Sequence, residues 1–155
     1  MLGLLVAITL NFSGGAGDSI SQGPLSFGVW AMEATREGAS PAKIDPSLES
    51  VREALAGLPH DTFRALFTGT VNAAPEQEKR TVLTPEYTLA LRPGQPGKDG
   101  RLRLRVCLEL KTADGAVKKA LNTSLVLVSG KKARMGGPRV GKGDLVVVVE
   151  WRGQD

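Results

Sequence analysis

The sequence predicts an α+β domain, a mainly antiparallel sheet of about six strands with one amphipathic helix on one face. Three observations predict it. The stretch RLRLRVCLEL at 101–110 sets leucine or valine at every even position and charge at most odd ones, the period of two that belongs to a strand with one buried and one wet face. The apolar runs around it are short and joined by turn chemistry, too short for the crossovers that parallel neighbours need. Only DPSLESVREALAGLP at 45–59 carries helical spacing.

Taken in order, the chain opens on MLGLLVAITLNFSGGAGDS. The apolar run Leu2–Leu10, followed by small residues up to Ala16 with Gly14 at the minus-three position, has the form of a secretory signal. It departs from that form because no Lys or Arg precedes the run. A first β-strand is the other reading of residues 2–10, since Val6, Ile8 and Thr9 are β-branched. The expected organisation is a signal peptide over 1–16 and one domain over 17–155. Nine apolar residues fall short of the roughly twenty that span a bilayer, so no transmembrane span is expected in the mature chain.

LSFGVWAMEA at 25–34 is apolar and aromatic enough for a buried strand, which Gly38 and Pro41 then break. In the helix, Asp45 is placed to cap the N-terminus and Pro46 suits the first position. Leu48, Val51, Leu55 and Leu58 fall on one face, while Glu49, Arg52 and Glu53 fall off it. DTFRALFTGTV at 61–71 mixes both periods and is expected to turn into a strand. RTVLT, EYTLALR, RLRLRVCLELK, ALNTSLVLV and DLVVVVEW follow as strands, with Asp99-Gly100, Asp114-Gly115 and Gly130 suited to the turns between them.

Charge is unevenly spread. Residues 98–155 hold thirteen Lys/Arg against six Asp/Glu, whereas residues 1–97 hold seven against ten. The period of two puts Arg101, Arg103 and Arg105 in a row on one face, with Cys107 and Glu109. Glu86, Asp114 and Glu150 are the acidic residues expected to face that row. A late segment adds Lys131, Lys132, Arg134, Arg139 and Lys142. These eight cations are the candidate binding residues, and they predict a single electropositive surface if the fold brings strand and loop together. Such a surface fits an acidic protein or an anionic envelope surface. Nucleic acid is disfavoured, because no aromatic side chain is interleaved with the arginines for bases to stack on.

The chemistry-bearing residue types are sparse. Cys107 is the only cysteine and His60 the only histidine, which leaves no intrachain disulfide and no Cys/His zinc cluster. No cofactor, metal or catalytic set is expected. A Cys–His pair would need hydrogen-bond reach that spacing does not promise. The carboxylate pairs Glu33 with Glu37, and Glu76 with Glu78, read as surface charge. GGPRVGKG at 136–143 matches part of a phosphate-binding loop through Gly136, Gly141 and Lys142. The magnesium-binding hydroxyl position is Gly143, however, and a β-branched strand follows where a helix is required. A glycine-rich loop leading into the last strand is the expectation.

The order of strand, Pro-capped helix and strand meander ending in GGPRVGKGDLVVVV resembles small exported proteins of planctomycetes and myxobacteria-like bacteria. The resemblance implies a bacterial envelope protein without assigned catalysis and carries over no functional residues. The expected function is a non-enzymatic extracytoplasmic binding or assembly module, periplasmic or secreted. The alternative is a cytoplasmic domain that binds anions or nucleic acid through its basic C-terminal half. A hydrolase built on His60 is a third class, for which no nucleophile motif is present.

Overall fold

Two rows of inward-facing leucines and valines need a common partner surface, and they find it in each other. In a computed structural model, which describes residues 23–154, nine strands form two sheets packed face to face. They are β1 (Leu25–Thr35), β2 (Lys43–Ile44), β3 (Thr62–Ala73), β4 (Lys79–Val82), β5 (Tyr87–Pro93), β6 (Arg101–Lys111), β7 (Val117–Val128), β8 (Lys132–Val140) and β9 (Gly143–Gln154). One sheet has the order β2-β3-β1-β9-β8 and the other β4-β5-β6-β7. The segment 1–16 lies outside the described residues. Among the described residues no helix is long and apolar enough to cross a membrane.

The expected antiparallel, strand-rich chain with one helical segment on a sheet face is present; the single sheet of about six strands is not. Alternation along a strand assigns a side chain to a face but not a strand to a sheet. Here the chain changes sheet between β3 and β4 and again between β7 and β8. All pairings are antiparallel except β2 with β3, which run parallel over two residues.

Leu102, Leu104, Val106 and Leu108 of β6 are buried against Phe27, Val29, Val147 and Val149 of the facing sheet. A second, smaller core lies on the outer side of the five-stranded sheet. There Leu48, Val51 and Leu55 pack on Trp30, Met32, Phe63, Val146 and Val148. The strands β1 and β9 therefore have cores on both faces, which is why they read as near-continuous apolar runs while β6 alternates.

The helix is tighter than the spacing alone suggests. Pro46–Val51 form a 3₁₀ helix that runs into a single α-helical turn, α1 (Arg52–Leu55). Asp45 caps it as expected, its carboxylate accepting from Ser47 N at 3.0 Å, and Gly57, at φ 88°, ends it.

The segment read as a glycine-rich loop is mostly strand β8. Lys132 and Arg134 alternate with Ala133 and Met135, which pack on the main core. The register then slips between Gly136 and Arg139, where Gly136-Gly137-Pro138 form a bulge. Three small or ring-locked residues in a row hid the strand's period.

Candidate anion-binding face

Because Leu102, Leu104, Val106 and Leu108 fill the core, the odd-numbered side chains of β6 stand on the outer face of the four-stranded sheet. That face has no helix or sheet over it among the described residues. Register places Arg105 directly opposite Arg92 of β5 on one side and Ser124 of β7 on the other. Arg103 lies two residues along the same strand, opposite Val126. Together with Glu76, Pro93 and Gly94, Arg92, Arg103, Arg105 and Ser124 line a shallow depression of about 390 Å³.

The charge on this face is not internally compensated. Among the described residues Arg92, Arg103 and Arg105 take part in no ion pair and no side-chain hydrogen bond. The partners expected from the sequence lie elsewhere. Glu150 pairs with Lys132 and Arg152 on the other sheet, Asp114 is occupied within its own turn, and Glu86 is engaged by Thr84. Arg101 differs from its row, standing 3.9 Å from Asp99 at the hairpin. Glu109 closes the far end of the strand through Arg80.

The late cations do not join this face. Lys132 and Arg134 lie opposite Glu150 and Val148, which puts them on the helix-bearing side of the five-stranded sheet. Arg134 Nη1 donates to Ala54 O at 2.7 Å and Ala56 O at 3.2 Å, satisfying carbonyls at the end of the helical segment. Arg139 sits 3.6 Å from Asp144, Lys131 occupies the turn before β8, and Lys142 occupies the turn before β9. The expected single surface is thus two surfaces on opposite sides of the sandwich.

GGPRVGKG has a packing role in this arrangement. Lys142 N donates to Glu33 Oε2 at 2.6 Å, and Arg64 Nε donates to the other carboxylate oxygen at 2.9 Å. Glu33 is accordingly buried, 7% exposed, which corrects its reading as surface charge: at the end of β1 the inward row reaches two donors rather than more hydrocarbon. The Lys142 N–H first, and the Arg64 guanidinium second, hold the Glu33 carboxyl below its ordinary range. A Cβ on Gly141 would collide with that carboxylate, and one on Gly143 with Ala34 O. Both glycines serve close approach to β1 and its buried acid.

His60 also lies on this side, its Nε2 2.8 Å from Asp144 Oδ2. The imidazole is the main cause of the lowered Asp144 pKa, with Arg139 and Arg36 adding to it. The pair borders a cavity of about 320 Å³ lined by Leu58, Arg134, Met135, Gly136, Gly137 and Val146. Cys107 stands on the opposite outer face, between Ala90 and Asn122, out of reach of His60.

Arg92, Ser124 and Glu76 are site residues that sequence reading missed. EYTLALR alternates as RLRLRVCLEL does, so the outward position of Arg92 was readable, but its place opposite Arg105 depends on the length of the GQPGKDG connection. No known protein family, characterised protein or solved structure matches the chain.

Proposed function

We propose that the chain is a non-enzymatic binding module that receives an acidic partner on the outer face of its four-stranded sheet. We read that module as extracytoplasmic, in the bacterial envelope, a reading supported by the signal-like opening and the resemblance to exported bacterial proteins. The observation that carries the reading is the set of three arginines, Arg92, Arg103 and Arg105, without ion-pair partners among the described residues on an uncovered face. Most other arginines are engaged: Arg52, Arg64, Arg80, Arg101, Arg139 and Arg152 have acidic partners and Arg134 has two carbonyls.

Tyr87, the aromatic residue of β4–β7, points into the core, so the face offers no stacking platform for bases. That favours an acidic protein or envelope polymer over the alternative of nucleic acid.

The test is retention on heparin across a salt series. Arg103→Ala/Arg105→Ala is expected to elute well before the unaltered protein, and Lys131→Ala/Lys132→Ala only slightly before it, because the two sites are on different sides. Elution of the strand variant with the unaltered protein sinks the reading.

A further inference from the structure

We infer that the depression over β5, β6 and β7 is a site for one tetrahedral oxyanion, the phosphate or sulfate ester of a hydrophilic molecule. The inference rests on the proposed role of this face and names the group it recognises. Neighbouring strands lie about 4.8 Å apart, so the row Arg92, Arg105 and Ser124 spans roughly 10 Å across three strands. Arg103 stands about 6.6–6.8 Å along β6 from Arg105. Three guanidinium forks and a hydroxyl thereby surround one concavity.

Its walls are fixed by backbone. Glu76 N donates to Pro93 O at 2.7 Å, pinning the turn between β3 and β4 against the end of β5, and Gly94 N donates to Arg103 O at 2.8 Å. A Cβ on Gly94 would stand 4.0 Å from Arg103 Cβ; glycine there leaves the space beside Arg103 open.

Arg92 and Arg105 repel each other, since they are like charges directly opposite across a strand pair. Glu76, on the wall, lies beyond ion-pair distance of all three arginines. An anion with oxygens pointing in several directions meets three forks at once, and arginine matches phosphate through paired N–H donors. A planar carboxylate presents only two oxygens to the same set. Glu76 offers an acceptor for a hydroxyl beside the ester.

Binding of inorganic phosphate, sulfate and acetate at constant ionic strength, followed by side-chain N–H resonances of the arginines, tests the site. Phosphate and sulfate are expected to saturate Arg92, Arg103 and Arg105, acetate to bind at least tenfold more weakly, and Arg101 to stay unperturbed. Losing a charged hydrogen-bond partner corresponds to about tenfold or more in affinity, and losing a hydroxyl to about two- to tenfold. Arg92→Gln and Arg105→Gln should show the first loss and Ser124→Ala the second. A merely structural role would not produce a further signature: Arg92→Gln should melt no lower than the unaltered protein without phosphate, yet gain less than it when phosphate is added.

Glycerol phosphate and vesicles of phosphatidylglycerol in phosphatidylcholine separate the sources of the ester. Saturable binding of either that inorganic phosphate displaces supports the site and names its source. Vesicle binding that phosphate does not displace, or equal affinity for phosphate and acetate, overturns the inference while leaving the broader acidic-partner reading to the heparin series.

Discussion

The two outer faces of the sandwich carry similar side chains under opposite conditions. On the five-stranded sheet, Asp144 has His60 and Arg139, and Arg134 donates to the helix-end carbonyls, while Glu33, on the inward side of the same sheet, accepts from Arg64 and Lys142 N. On the four-stranded sheet, Arg92, Arg103 and Arg105 face solvent with no such company. Charge in the first place is engaged within the fold, while in the second, among the described residues, it has no ion-pair partner. Counting lysines and arginines along the chain treats both alike, which is why the late cations looked like part of the binding surface.

Substitutions that damage one face and spare the other turn this comparison into measurements. The largest effect is expected at Gly143, where any side chain meets the Ala34 carbonyl. Gly143→Ala should lose about 3 kcal/mol or more in urea unfolding, the scale of severe overpacking. Next comes Glu33→Gln, which removes the charge that Arg64 and Lys142 N address, at a cost of about 1–3 kcal/mol near neutral pH.

The pH dependence of that loss has a defined sign. The folded Glu33 carboxyl titrates below its ordinary value, so its contribution is fully present above the unfolded pKa of about 4.3 and disappears as pH falls through the folded value. Stability curves of the unaltered and Glu33→Gln proteins should therefore converge in acid; parallel curves would show that the Glu33 charge is not the source. The smallest effect is expected on the other face. Arg105→Gln, measured without ligand, should leave stability unchanged or raise it by about 0.2–1 kcal/mol, the range for relieving a like-charge cross-strand pair. A clear loss there would mean that the arginines serve the fold after all, and would erase the difference between the faces.

Much of the architecture was legible because burial writes a period into the chain. β6 was readable to the residue, and β1 and β9 were readable as apolar runs. The Asp45 cap and the turn glycines were legible because each has a local geometric cause, Gly100, Gly115 and Gly130 all having positive φ. Division into two sheets was not legible, since it depends on which inward rows meet. β8 was missed because its alternation stops after four residues at Gly136. The binding face was half legible: Arg103 and Arg105 follow from the period, whereas Arg92 and Ser124 arrive through register. Glu33 could not be recognised as buried, because Arg64 and Lys142 are 31 and 109 residues away from it.

β7 has a consequence for how the protein behaves in company. Among the described residues it is the outermost strand of its sheet, twelve residues long, paired only with β6. Its first part is guarded by Lys118, Lys119 and an irregular register opposite Leu108 and Glu109, devices that discourage a further strand from adding. From Leu121 to Val128 there is no charge, no proline and no glycine, and Val126 and Val128 are 59% and 44% exposed. That eight-residue margin is the part of the edge open to a further strand, and Val126→Lys would extend the charged guard along it.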